Sequence, residues 1–501
     1  MNRTKPITGE LLALKNQIEG YAIEYGLDFF PQVFEVCDYD TINILAAQGG
    51  FPSRYPHWKF GMDYDQLSKG YTYGLQKIYE MVINTDPCYA YLLQANNWVD
   101  QKIVMAHVYG HNDFFKNNMW FSNTNRKMMD VMANHGTKIR RYMERYGYDT
   151  VETFIDKVLS LENLLDINEL FETSSLKRSR QEQVEQQKVE SEDDGYLIDD
   201  RSSALKSFMR TQARQAKKEE VKKEEEEYSA EKPLTHRTKD ILGYLIQNAP
   251  IEEWQADVIG ILREEAYYFL PQRMTKIMNE GWASYWHSTI MTQRALDASE
   301  IVDFADKHAG VMYMSKQNIN PYKIGIELMR DIEYRWDRGM FGKEYNECTN
   351  MHDKLNWNTK HGKGKEKIFE VRKSHNDISF IDEFLTPDFC ERQQLFTYKY
   401  NPRTGRFEID TKDFLAIKQK LLSQLTNFGQ PIIEVEDGNY MNRKELLLNH
   451  VHYGVDLDVN FANETLRNLY AIWRRPVNLK TKYEEKDVVF HFDGKEFKPS
   501  H

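Results

Sequence analysis

Two histidines, His107 and His111, stand four residues apart in Val104-Met-Ala-His-Val-Tyr-Gly-His-Asn-Asp-Phe-Phe115. The stretch reads as a helix, and residues at i and i+4 share a face, so both imidazoles can reach one cation. The same spacing underlies the H-E-x-x-H zinc site. A second stretch, Met278-Asn-Glu-Gly-Trp-Ala-Ser-Tyr-Trp-His287, also reads as a helix. Between Glu280 and His287 the helix turns about 700°, leaving them about 20° apart in azimuth but roughly 10.5 Å apart along the axis. Bonds to zinc are only about 2 Å long, so these two can hardly share one ion. Glu280 is therefore the expected third ligand beside His107 and His111. His287 is expected beside the metal, as a hydrogen-bond donor, a proton shuttle or a ligand of a second ion. The bland alternative is a bundle core that buries Glu280 against a histidine, with Trp282, Ala283 and Trp286 as packing.

In H-E-x-x-H peptidases the Glu after the first His is the general base. Here that place is Val108, which cannot take a proton. Either another group activates water or the site is not hydrolytic. The candidates are Glu264 and Glu265 in Arg263-Glu-Glu-Ala-Tyr-Tyr-Phe269, and His135 in Met132-Ala-Asn-His135; each has a salt-bridging or surface alternative. Arg54 and His57 in the loop before Trp58, and His308, are weaker candidates for a substrate cleft. No G-x-x-x-x-G-K-[ST], strand-linked G-x-G-x-x-G or G-x-S-x-G is present, which disfavours nucleotide-driven and serine-hydrolase chemistry.

The elements that must position these residues are mostly helical. Periodicity predicts a helix within 8–30, successive helices from 66 to 171, and helices at 238–246, 254–270 (ended by Pro271), 274–291 and 297–308. Another opens at Pro321, since proline suits a first helical turn. From Ser174 to Glu231 the chain is dominated by Glu, Gln and Lys, too poor in apolar residues to offset the entropy of ordering; it reads as a disordered or solvated helical insert, a linker or an interaction tail. Beyond about 380 the pattern changes. A hairpin spans Leu395–Tyr400 and Arg406–Asp410. A helix at 411–427, strands at 431–436 and 445–457, a helix at 460–473 and a strand at Val488–Asp493 follow. The expected organisation is a helical core in two halves, 1–172 and 237–378, an insert at 173–236, and a small α+β module at 379–501.

Composition bounds the setting. The 501 residues are 41% hydrophobic and carry a formal net charge of -11, against sequence-independent nucleic-acid binding. The four cysteines lie far apart with no C-x-x-C, which fits a reducing compartment. No apolar h-region opens the chain and no run approaches a membrane span, so a cytoplasmic protein is expected.

The chain closely resembles the SpoVR family, named for stage V sporulation protein R. The match runs through Tyr25-Gly-Leu-Asp-Phe-Phe-Pro31, Gly49-Gly-Phe-Pro-Ser-Arg-Tyr-Pro-His-Trp58, Asp86-Pro-Cys-Tyr-Ala-Tyr91, Met105–Lys116, Arg263–Phe269 and Lys276–His287, and covers nearly everything but the charged insert. The resemblance implies a bacterial cytoplasmic protein of sporulation and stress pathways, linked in spore formers to the spore cortex. It also implies association with a PrkA-type serine protein kinase and a von Willebrand-type domain protein, but it brings no biochemical activity. A looser resemblance concerns the site alone. Glu280-Gly-Trp-Ala with Tyr285 is similar to the E-G-W-A-x-Y string of gluzincin-type metallopeptidases, whose Glu is the third zinc ligand. His107-Val-Tyr-Gly-His111 resembles their H-E-x-G-H apart from Val108. That implies a zincin-like helical core, and hence a mainly α N-terminal domain with a small α+β C-terminal domain.

Two expectations follow. One is a metal-dependent hydrolase of peptide or amide bonds, with zinc or another divalent metal on His107, His111 and Glu280, and His287 stabilising the oxyanion. The other is a non-catalytic regulatory or scaffold protein that retains a structural metal or a polar core.

Overall fold

The structure is a computed structural model and describes residues 4–72, 80–169, 171, 237–316 and 318–500. The charged insert expected at 173–236 lies outside the described residues. The chain divides into two compact units, the first made of Met1–Glu152 and Glu265–Gln430, the second of Thr153–Glu264 and Pro431–His501. Residues 379–430 thus fall in the first unit.

The strands are β1 (Thr4–Pro6), β2 (Gln32–Cys37), β3 (Glu80–Ile83), β4 (Cys88–Leu93), β5 (Thr397–Asn401), β6 (Arg406–Thr411), β7 (Ile433–Tyr440), β8 (Glu445–His450), β9 (Val477–Tyr483), β10 (Lys486–Phe492) and β11 (Phe497–Ser500). The helices used below are α1 (Gly9–Glu24), α2 (Trp98–Asn117), α3 (Met128–Tyr146), α4 (Ile241–Asn248), α5 (Glu253–Met274) and α6 (Lys276–Ile290). After them come α7 (Ile301–Val311), α8 (Pro321–Arg338), α9 (Gly364–Ser374), α10 (Asp377–Phe384) and α11 (Val459–Trp473). The arrangement is mainly helical with a small C-terminal sheet.

In the first unit a four-stranded sheet runs β1-β2-β4-β3, with β2 and β4 parallel and the outer pairs antiparallel. This corrects the expectation of helices alone over 66–171. Cys88–Leu93 is a short unbroken apolar run, which periodicity cannot tell from a buried helix. As an inner strand it buries all but one of its side chains. A second correction concerns Pro271, which does not end its helix: α5 runs on to Met274. The carbonyl of Pro271 accepts from the Thr275 hydroxyl at 2.7 Å.

Helix α6 is the axis of this unit, packed between α2 and α8. Nearly every side chain of α2 and α6 is buried, as expected of helices that lie inside a core rather than on its surface. Small residues make the approach possible. A Cβ added at Gly110 of α2 would sit 2.6 Å from Ala283 Cα, and one at Gly281 would sit 2.4 Å from Gly325 Cα of α8. Tyr109, Trp282, Trp286, Ile326 and Met329 fill the surrounding core. Helix α8 opens at Pro321, capped by Asn320, and ends at Gly339 in the left-handed region.

The start of α6 is capped from far away. Thr275 gives no side-chain cap. Instead the Asp377 carboxylate of α10 accepts from Ile277 N at 2.8 Å and Met278 N at 2.9 Å. That satisfies two of the four backbone donors a helix start leaves free.

In the second unit the sheet runs β11-β10-β9-β8-β7, antiparallel except for β8 and β9. Those two are joined through α11, which buries Leu466, Leu469, Ile472 and Trp473.

Candidate metal centre

Helix α2 sets the His107 and His111 rings 4.5 Å apart and nearly perpendicular. Helix α6 brings Glu280 to them. Its Oε2 lies 3.3 Å from His107 Nε2 and 3.5 Å from His111 Nε2, and the three ligand atoms all fall within 4.8 Å of one another. The three residues are buried, 5–6% exposed. The other carboxylate oxygen, Oε1, is held by Lys276 Nζ at 2.6 Å. The group could hold a metal ion.

Each histidine is anchored through its far nitrogen. His111 Nδ1 lies 2.8 Å from Asn279 Oδ1, an oxygen that can only accept, so Nδ1 carries a proton and Nε2 is the nitrogen turned toward the cluster. His107 Nδ1 lies 2.9 Å from His287 Nδ1, and His287 Nε2 lies 3.2 Å from His308 Nδ1 on α7. His111 Nε2 thus faces Glu280 Oε2 across 3.5 Å of buried space, beside His107 Nε2.

The electrostatics run the same way. Burial, with repulsion from His111, pushes His107 down to about 4, so the imidazole is neutral at pH 7. Burial and His107 hold His287 well below the ordinary histidine range, and burial with Arg330 lowers His308. Burial pushes Glu280 up, but its hydrogen bonds to His107 and His111 and the charge of Lys276 outweigh that and hold it well below the usual carboxylate range. Two imidazoles and one carboxylate make a donor set suited to a divalent cation.

Packing fixes the two helices behind this cluster. Asp113 of α2 accepts from Trp282 Nε1 of α6 at 2.7 Å and pairs with Arg372 of α9 at 2.8 Å. The His107 ring stacks against Tyr322 of α8, and the His111 ring against Phe115.

The other expected site residues have partners outside the triad or contact only its edge. Val108 is fully buried in the apolar core. His135 of α3 and Glu265 of α5 pair with each other at 3.1 Å, and Glu265 Oε2 takes Arg54 Nη2 at 2.5 Å. Arg54 Nη1 donates to the Gln48 carbonyl at 3.0 Å, so this buried trio ties the Gly49-Gly50 loop to two helices. Glu264 is exposed and belongs to the second unit. His57 is buried against Tyr55 and Phe60, and its Nδ1 accepts from Lys59 N at 3.2 Å. His287 contacts the edge of His107 away from the cluster, and two cations, Lys323 and Arg330, act on neighbouring His308, which disfavours a second ion there. Sequence reasoning missed Asn279, Lys276, Asp113, Arg372 and Asp377. Only Asn279 and Lys276 left a local signal, beside Glu280 and one turn before it.

Among known families, residues 7–430 match the model described as SpoVR like protein, and residues 431–484 match the SpoVR-like C-terminal domain. The two matches meet where the first unit ends. A similar protein is Uncharacterized protein YcgB of Escherichia coli (strain K12), 28% identical over 497 residues, covering 94% of this chain and 92% of that protein. No solved structure matches significantly. Among the described residues no helix is long and apolar enough to cross a membrane.

Proposed function

The chain belongs to the SpoVR family, and we propose that it is a divalent-metal-dependent hydrolase of peptide or amide bonds, acting in the bacterial cytoplasm. The observation that carries this reading is the buried cluster of His107, His111 and Glu280, whose three ligand atoms lie within 4.8 Å of one another. His107, His111 and Glu280 would hold the ion, zinc being the first candidate for two imidazoles and one carboxylate in a zincin-like helical core. A divalent ion there would supply Lewis acidity, polarising a carbonyl and making water more acidic. The chain's own residues do the rest. Asn279 and His287 orient the two histidines through their Nδ1 atoms. Lys276 holds one oxygen of Glu280 and turns the other toward the cluster. With Glu265 bound to Arg54 and His135 bound to Glu265, we assign those two to loop positioning rather than to proton abstraction.

Elemental analysis of the purified protein, with His107→Ala and Glu280→Ala beside it, tests the centre. One equivalent of metal in the wild type, lost in both variants while the fold is kept, is expected. A wild type that carries no metal even after zinc addition sinks it.

A second reading has its own support. The cluster is buried, and among the described contacts no carboxylate besides Glu280 reaches it. On this reading the ion is structural, and the protein is a regulatory or scaffold partner of a PrkA-type kinase and a von Willebrand-type domain protein. Chelation separates the two. A catalytic ion leaves a folded protein whose peptide or amide hydrolysis returns with metal; a structural ion takes the fold with it.

A further inference from the structure

Ser284 is fully buried, yet its Oγ has no hydrogen-bond partner among the described residues, not even the carbonyl one turn back that helical serines commonly use. Leaving a buried hydroxyl unpaired costs about 1–3 kcal/mol, so the position calls for an explanation. Its place on α6 supplies one. At about 100° per residue, Ser284 lies about 40° from Glu280 and about 60° from His287, on the same face. Ala283, about 60° to the other side of Glu280, packs on Gly110 of α2. Gly281, about 100° from Glu280, packs on Gly325 of α8. Ser284 is therefore directed into the seam between α2 and α8.

The level along the helix agrees. His107 touches Glu280 through Nε2 at 3.3 Å and His287 through Nδ1 at 2.9 Å, so its ring spans the interval of α6 in which Ser284 sits. Tyr322 stacks on that ring from α8, closing the far side of the seam.

We propose that the Ser284 hydroxyl is the hydrogen-bond contact for a small oxygen ligand, water or a carboxylate-like group, that enters beside His107, His111 and Glu280 when the centre is filled. This rests on the metal-centre reading above and adds the residue that would address the incoming group. An anion accepts more strongly than a neutral partner, so loss of one hydroxyl contact to it is expected to weaken binding about ten- to hundred-fold.

The test uses the full chain loaded with cobalt(II), whose visible absorption reports its ligands, titrated with formate. Ser284→Ala should take up the same equivalent of cobalt but bind formate about ten-fold or more weakly, and Ser284→Thr, which keeps a hydroxyl, should recover most of the affinity. In metal-free protein Ser284→Ala should melt no lower than the wild type, because the hydroxyl it removes has no protein partner. Equal formate affinity in wild type and Ser284→Ala, both cobalt-loaded, overturns the role of Ser284 alone. A metal-free Ser284→Ala that melts several degrees lower does so too, since the hydroxyl would then have a structural bond. A wild type that takes up no cobalt overturns the metal centre and this inference with it.

Discussion

At the residue scale, the centre depends as much on the atoms behind the ligands as on the ligands. Spacing alone marks His107, His111 and Glu280, but a histidine binds a cation only with the right nitrogen free. For His111 that choice is made by Asn279, whose oxygen takes the Nδ1 proton at 2.8 Å. Asn279→Ala should therefore lower zinc affinity about 10- to 100-fold, the usual effect of losing such a partner, while thermal stability of the metal-free protein changes little. Competition against a chromophoric chelator measures it. Unchanged affinity would mean that Asn279 does not set the tautomer. Asn279 stands next to Glu280 in the sequence, yet nothing local says that it turns toward a histidine 168 positions away.

At the element scale, α6 depends on two devices that no window of its own sequence discloses. One is the run of small contacts at Gly110, Ala283, Gly281 and Gly325, which lets three helices approach closely enough for Glu280 to meet both histidines. The other is the cap from Asp377. Burial pushes that carboxyl up to about 7, against the two backbone donors and Lys276 that favour its charge. A folded carboxyl that holds its proton more tightly than the unfolded one stabilises below its ordinary value near 4, and this stabilisation is lost as the pH rises through about 7. Asp377→Asn cannot ionise. Its unfolding free energy relative to wild type should therefore rise between pH 5 and pH 8, as urea denaturation at the two pH values would show. Parallel pH profiles for the two proteins would assign the slope to other groups.

At the scale of the whole molecule, the chain leaves its first unit at residue 152, returns at 265 and leaves again after 430. The C-terminal sheet shares its unit with residues 153–264. Tyr244 of α4 stacks on Trp473 of α11, Val435 N donates to the Thr238 carbonyl at 2.8 Å, and Asn468 Nδ2 donates to Ser160 Oγ at 3.0 Å. A chain ending at Gln430 keeps every residue of the proposed centre but strips these partners from 153–264. It should bind metal as the full chain does while showing raised binding of an apolar dye and a tendency to aggregate. A truncated protein with no added dye binding would show that 153–264 holds together without the sheet.

Sequence alone marked His107, His111 and Glu280 as one cluster, the helices that carry it, the C-terminal hairpin and the family, because each is written in short-range spacing or in long specific strings. It did not determine the β2-β4-β3 strands of the first unit, since a buried apolar run has the same pattern as helix or strand. Nor did it decide the partners of Glu265 and His135, which residue type offers as bases and the fold pairs with each other, Glu265 also taking Arg54. Periodicity fixes the direction a side chain takes from its own helix, not what stands opposite. That partner comes from elements 100 to 200 residues away, and the packing of α2, α6 and α8 decided that His287 backs His107 and that Ser284 is directed into the seam beside it.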